Sequence, residues 1–296
     1  GPVVTMVGSA AVWISWGASP LMGIRMGEGR PEEARRILRT GFCMLLAFSL
    51  AMMALVIPLR EPMLRFFGAS DATYPYADAY FTVYLTGTVF ALLAAGLNQM
   101  IIAQGFAAQA MRLVVLGAAL NIALDPVFIF ALNMGVRGAA LATVLSQICS
   151  TAYILRFLLG GKAAVGITRQ PVNPGWMRRI VQVGLSPALI IALDNVLLIS
   201  VNIMLRRYGG ADSDMLIACA AIMQSFMLVI TMPLGGLTMG TQTILGYNLG
   251  ARRPEKILRA QRYIFVIAVS FCALMTLAAQ TIPHLFAGIF TKEPEY

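Results

Sequence analysis

Eight apolar runs, each long enough to cross a lipid bilayer, take up most of this chain of 296 residues. A transmembrane helix needs about 20 predominantly apolar residues, and a run of that length rarely occurs in a soluble core. Charged residues make up only 12% of the chain, against about 25% in soluble domains. The sequence therefore predicts an all-α integral membrane protein, a polytopic helical bundle. The predicted spans are 3–24, 38–58, 76–103, 109–132, 138–160, 177–205, 215–248 and 258–288.

Basic residues are distributed unequally between the two sides of this predicted bundle. If the loop after the first span is cytoplasmic, 16 of the 22 Lys and Arg residues fall on the inner side. This asymmetry obeys the positive-inside rule, so topology accounts for most of the net charge of +9. We expect a multi-pass protein of the cell (inner) membrane, with the lipid bilayer and no nucleic acid as partner.

The chain contains an internal repeat at an offset of 223 residues. The segment MGEGRPEEARRILR (26–39) aligns without a gap on LGARRPEKILRAQR (249–262). The first span then corresponds to the seventh, so one repeat contains six helices. Because six is even, both copies keep the same orientation, which predicts two parallel six-helix pseudo-repeats about an axis along the membrane normal.

The Gly- and Pro-rich segment GGKAAVGITRQPVNPGW (160–176) is the natural joint between the two halves. We predict an N-terminal lobe over 1–160, a cytoplasmic linker over 161–176 and a C-terminal lobe over 177–296. The repeat places a partner of the sixth span before this sequence and partners of the third to fifth spans after it. The expectation is a transporter of twelve helices, of which this chain holds about helices 2–9 and is inactive alone.

One acid, Asp125, lies in the middle of the fourth apolar run. An ionised carboxylate at the bilayer centre costs about 2.5–3.5 kcal/mol on insertion scales, and no Lys or Arg lies in the run to pair with it. Asn121 is one helical turn earlier, and Pro126 cannot donate a hydrogen bond to the carbonyl of Ile122. Carboxylate, amide and free carbonyl oxygens together predict a site for a proton or a hard cation. The alternative is a structural hydrogen bond to Asn121 or to a neighbouring helix.

A second acid, Asp194, lies in the sixth span and is followed by Asn195. Pro187, seven residues earlier, predicts a kinked helix that presents polar groups inward. A cation or substrate site in the second lobe and a structural hydrogen bond both remain open for this pair.

Two segments are more specific than hydropathy: NIALDPVFIFALNMGVRGAALATVLSQ (121–147) and MPLGGLTMGTQTILGYNLGARRPEKI (232–257). The first resembles the fifth and sixth helices of the MATE family, the multidrug and toxic compound extrusion antiporters. The second is similar to the eighth helix of that family and the following loop. The order and spacing of both segments fit, and the resemblance extends over essentially the whole chain.

The resemblance implies two lobes in a V around a central cavity, and export of amphipathic, often cationic, compounds driven by inward Na+ or H+. It also implies an ion site to which Asn121, Asp125 and Thr143 contribute, completed by an Asp on a first helix outside this sequence. Asp194 falls near the position where another branch has a Glu on its seventh helix. We expect no cofactor besides the coupling ion, a small amphipathic organic substrate, and a monomer.

Three other functions compete with that of an antiporter. A lipid-linked oligosaccharide flippase of the same wider superfamily should place arginines inside its cavity, whereas Lys and Arg here cluster in the loops. A non-transporting membrane sensor or scaffold remains a further alternative. An enzyme is not expected, because the chain has a single histidine, and its four cysteines fall one to a span in no metal or disulfide pattern.

Overall fold

The computed structural model describes residues 2–66, 74–168, 170–210 and 213–281, and these residues form eight long helices without a β-strand. Each helix overlaps one predicted span, so the predicted all-α polytopic bundle is confirmed; residues 282–288 of the eighth predicted span lie outside the described residues. The helices are α1 (Pro2–Gly27), α2 (Pro31–Phe66), α3 (Tyr74–Ile102), α4 (Ala107–Pro126), α5 (Gly135–Leu159), α6 (Pro174–Tyr208), α7 (Ser213–Gly250) and α8 (Pro254–Thr281). A π-helical turn, Val127–Ala131, continues α4 toward α5.

The helices have the length and the surface of membrane spans. Within the described residues, the seven helices α2 to α8 are long and apolar enough to cross a membrane. Large apolar side chains cover their outer surfaces, as Phe130 on the π-helical turn and Leu193 on α6 illustrate. Such a surface is stable only against lipid or other helices. The protein is therefore a multi-pass membrane protein, as predicted.

The principal core lies among α1 to α5. Met22 of α1, Leu45 of α2, Leu97 of α3 and Ile154 of α5 are almost fully buried in one cluster. The helix α1 is central, because it packs against α2 and α3 on one side and against α6 and α7 on the other. Side chains of the first five helices thus form one packed body, and α1 carries its contacts to the later helices.

The segment between α5 and α6 packs back onto this body. Val165 is 1% exposed, and its backbone N–H donates to Oε1 of Gln104 over 2.8 Å. Trp176 lies at the start of α6, and the guanidinium groups of Arg25 and Arg179 each lie 5.2 Å from its ring centre. Cation–π contacts of this kind hold an aromatic ring in place at a polar surface. The connection is thereby fixed at both ends, while its predicted role as the border between lobes stays a prediction.

Glycines at matching positions of the repeat bring α1 and α7 into backbone contact. A Cβ atom on Gly27 would overlap the carbonyl oxygen of Tyr247, and one on Gly250 would overlap the carbonyl oxygen of Ile24. Residues 27 and 250, and likewise 24 and 247, are 223 positions apart, so the two contacts are copies of each other. We call this contact the glycine seam. It places a pseudo-two-fold axis between α1 and α7.

The turns that follow α1 and α7 repeat the same hydrogen bonds. The N–H of Arg30 donates to the carbonyl of Arg25 over 2.9 Å, and the N–H of Arg253 donates to the carbonyl of Asn248 over 3.0 Å. Each turn passes through a left-handed residue, Gly29 with φ of 72° in the first copy and Arg252 with φ of 54° in the second. The repeat seen in the sequence is thus also a repeat of backbone geometry.

In the second turn the left-handed position holds Arg252 instead of a glycine, and this leads to a first prediction. A side chain at a left-handed position costs roughly 1 kcal/mol, and glycine avoids this cost. We expect Arg252→Gly to raise the midpoint of thermal unfolding of the detergent-solubilised protein. The matched substitution Gly29→Arg should lower it. Equal midpoints for both variants and the parent would contradict the assignment of strain to Arg252.

Candidate functional site

A cavity of about 370 Å³ lies between α3, α4 and α5. Its wall combines small apolar residues with side chains that can accept or donate hydrogen bonds. The polar lining residues are Asn98, Asn121, Thr143, Ser146, Gln147 and Ser150. Because these side chains lie in otherwise apolar helices, the cavity offers a polar environment inside the bundle for an ion, a water or a polar group of a ligand.

Two residues predicted from the sequence meet across this cavity. Nδ2 of Asn121 on α4 donates to Oγ1 of Thr143 on α5 over 3.4 Å. The Thr143 hydroxyl in turn donates to the carbonyl of Ala139 over 3.0 Å. This chain of hydrogen bonds uses the hydroxyl donor of Thr143 and one amide N–H of Asn121, and it leaves the side-chain oxygen of Asn121 as an acceptor. Oxygen acceptors of this type suit Na+ or a hydrogen-bonded water.

Asp125 lies one helical turn beyond Asn121. Its side chain is half-buried, and its Oδ1 atom is buried with no hydrogen-bond partner among the described residues. A buried acceptor without a partner costs about 1–3 kcal/mol, and more when it is charged. The carboxylate therefore has a free coordination position within a turn of the Asn121–Thr143 pair.

The backbone around Asp125 is irregular. Pro126 follows it directly, and the chain then makes a π-helical turn in which the N–H of Leu132 donates to the carbonyl of Val127 over 2.9 Å. Gly138 on α5 packs on this turn, because a Cβ atom there would lie 2.7 Å from the carbonyl oxygen of Phe128. π-turns inside α-helices occur frequently at functional sites. Here the turn keeps the end of α4 close to α5.

Asn98 is a site residue that the sequence did not single out. It lines the cavity from α3, and its Oδ1 atom is buried without a hydrogen-bond partner within the described part of the chain. In the sequence it is one of several polar residues in apolar spans, any of which would serve equally well to bond two helices. Only the packing of α3 against α4 and α5 shows that it faces Asn121 and Thr143.

The structure does not bring Asp194 into this site. Its side chain is exposed on α6, and the cavity is built from α3, α4 and α5 alone. It forms no ion pair with any residue that the structure describes. The side chain of Asn195 lies outside the described residues. A role for this pair in the second lobe stays a prediction.

Comparison with known proteins identifies the fold as that of one family. The family model MatE matches residues 2–127 and 188–296, which is most of the chain. The chain belongs to the MatE family. This confirms the family resemblance seen in its sequence.

Comparison with three relatives shows what share of their length this MatE chain covers. It is 22% identical to the FAD transporter of Shewanella oneidensis over 303 residues, which cover 99% of this chain and 66% of the relative. It is 26% identical to the multidrug export protein MepA of Staphylococcus aureus over 254 residues, or 84% and 54% of the two chains. A solved outward-facing multidrug resistance MATE family transporter matches with a TM-score of 0.83 and 26% identity, covering 98% of this chain and 64% of that one. The chain thus spans between half and two thirds of each relative.

Proposed function

We propose that this MatE protein is a cation-coupled antiporter that exports amphipathic, often cationic, organic compounds by alternating access. The observation that carries the proposal is the buried, unpartnered oxygen of Asp125, one turn from the Asn121–Thr143 pair. An intramembrane acid without a basic partner is costly unless it binds a proton or a cation during function. The site would be the point at which Na+ or H+ enters the transport cycle.

Ion binding at this site would act through the packing of α4 against α5. A bound proton or Na+ would neutralise Asp125, while Na+ would also draw on the oxygens of Asn121 and Thr143. The groups belong to two helices that are held close at the π-helical turn, so neutralisation would change the balance between two arrangements of these helices. Coupling requires that the ion and the exported compound prefer different arrangements of the lobe.

The two named relatives suggest different substrates. MepA is a multidrug export protein, whereas the relative that matches 99% of this chain is a FAD transporter. An anionic dinucleotide is therefore the second candidate substrate. The residues that line the cavity include no Lys or Arg, which favours a cationic or neutral compound there over a phosphate. The same lining disfavours a flippase for lipid-linked oligosaccharides, which would need to grip a pyrophosphate.

Transport by the full-length protein in proteoliposomes tests the proposal. We expect an imposed gradient of H+ or Na+ to drive ethidium across the membrane in the direction opposite to the ion flow. The gradient that is effective identifies the coupling ion. FAD, loaded in parallel vesicles, should not move at a comparable rate. Gradient-driven transport of FAD without ethidium would select the second candidate. Transport of neither compound under either gradient would overturn the proposal.

A further inference from the structure

A second cavity, of about 400 Å³, lies at the opposite end of the α4–α5 pair from the π-helical turn. It is formed by the first turns of α4, the last turns of α5 and the residues just after α5. Three basic side chains line it: Arg112, Arg156 and Lys162. We call it the basic cavity. The charge asymmetry of the loops places this end of the helices at the cytoplasmic face of the membrane.

No acidic side chain among the described residues compensates the charge of the basic cavity. No acidic residue lines it, and none of its three cations forms an ion pair with a described residue. Some arginines on the same face of the protein do have acidic partners: Arg25 bonds Glu28 over 2.5 Å, and Arg35 bonds Glu32 over 2.6 Å. Arg253, Lys256 and Arg259 resemble the cations of the basic cavity in forming no ion pair with a described residue. What distinguishes the basic cavity is that three such cations line one concave site.

Fixed contacts hold the wall of the basic cavity in place. The hydroxyl of Tyr153 on α5 donates to Oε1 of Gln109 on α4 over 2.8 Å. The ring of Phe157 meets that of Phe106 edge to face, with centres 5.2 Å apart. After α5, Gly161 adopts φ of 71°, and the chain reverses so that Lys162 lies beside the end of the helix. These contacts therefore fix the positions of the chain segments that carry the three cations.

Exposed apolar side chains lie within one helical turn of the two arginines of the basic cavity. Met111 and Leu159 are each 65% exposed, and Val115 is 58% exposed. These residues flank Arg112 and Arg156 along the chain and suit contact with acyl chains. A phosphate at the level of the basic side chains, with hydrocarbon beside the apolar ones, has the arrangement of a phospholipid in the inner leaflet. One arginine side chain can donate two parallel hydrogen bonds to two oxygens of a phosphate. Each basic residue near an anionic membrane surface contributes about 1 kcal/mol to the attraction between protein and lipid.

We propose that Arg112, Arg156 and Lys162 form a binding site for the phosphate headgroup of an anionic phospholipid of the inner leaflet. The site is separate from the polar cavity at Asn121 and does not depend on the proposed transport function. Its ligand would bridge the cytoplasmic ends of α4 and α5, the same two helices whose other ends carry the candidate ion site.

Native mass spectrometry of the full-length protein, titrated in detergent with phosphatidylglycerol or phosphatidylcholine, tests this proposal. We expect phosphatidylglycerol to bind about tenfold more tightly, a difference of about 1.4 kcal/mol. The triple substitution of Arg112, Arg156 and Lys162 by glutamine should abolish this preference. The matched control replaces Arg253, Lys256 and Arg259 by glutamine. It removes the same charge from the same side of the membrane and should keep the preference.

Further variants separate a specific site from a general charge effect. Replacing Arg112 and Arg156 by lysine keeps the charge and should keep most of the preference for phosphatidylglycerol. This variant tests the site even if the glutamine variant unfolds. Equal loss in both glutamine variants would show that surface charge alone attracts the lipid and would overturn the proposal. Displacement of phosphatidylglycerol by inorganic phosphate at equal concentration would also overturn it, because the site would then recognise free phosphate.

Discussion

Gradient-driven transport by the full-length protein is expected to fall at least about tenfold when Asp125 is replaced by asparagine. Asparagine keeps the size of the side chain but can neither carry the negative charge nor take up a proton. If Asp125 supplies the coupling charge, its loss removes the energetic link between ion entry and substrate exit, and a tenfold change in rate corresponds to about 1.4 kcal/mol. The measurement is the initial rate of ethidium transport in proteoliposomes under the effective gradient.

Variants of the neighbouring residue distinguish ion binding from a purely structural role. Thr143→Val removes the hydroxyl that accepts from Asn121, whereas Thr143→Ser keeps it. We expect the valine variant to require a steeper ion gradient for the same rate and the serine variant to resemble the parent. Unfolding midpoints of all variants report whether the bundle is intact. Full transport by a folded Asp125→Asn protein would exclude Asp125 as the coupling residue and leave Asp194 as the acid to test.

A large loss of stability is expected when either glycine of the seam is replaced by alanine. The added Cβ of Gly27→Ala would overlap the backbone oxygen of Tyr247, and that of Gly250→Ala would overlap the backbone oxygen of Ile24. A backbone carbonyl within a helix cannot turn aside as a side chain can, so α1 and α7 must separate. Overpacking of this kind typically costs about 1–3 kcal/mol. The measurement is the midpoint of thermal unfolding in detergent.

The control for the seam lies on the same helix. Gly236 of α7 has nothing within 4 Å of the position of an added Cβ. Gly236→Ala should therefore leave the midpoint unchanged or raise it, because alanine favours a helix by about 1 kcal/mol over glycine. A loss of stability in all three variants would mean that flexibility of the helices, and not the close approach of α1 and α7, explains the effect.

The helices and their order follow from the sequence because hydropathy acts over whole spans. The predicted first span, 3–24, lies within α1, and the predicted fifth, 138–160, coincides with α5 but for its ends. The repeat is also visible in the sequence, since Gly27 and Gly250 stand at equivalent positions beside similar loops. Family resemblance places Asn121 and Thr143 in one predicted site, and the structure shows their contact.

Tertiary detail could not be predicted in the same way. The π-helical turn after Pro126 depends on the close approach of Gly138, which lies on the next helix. Asn98 faces the cavity only because α3 packs beside α4 and α5. The buried position of Val165 in a Gly-rich connection has no periodic signal, because it depends on packing in the core cluster and on a hydrogen bond to Gln104. Contacts between distant residues decide each of these features, and hydropathy carries no information about them.

The glycine seam has the geometry of a symmetric dimer interface enclosed within a single chain. Close to its axis Gly23 approaches Gly246, its own counterpart 223 positions later. In an isologous contact the same pair of positions meets twice, once in each direction, so a change in one copy alters the packing of the other. At Gly27 and Gly250 a larger residue would meet a backbone carbonyl, which no substitution in the other copy can remove. Both copies are thus constrained to keep glycine at these positions, although their sequences are otherwise free to diverge.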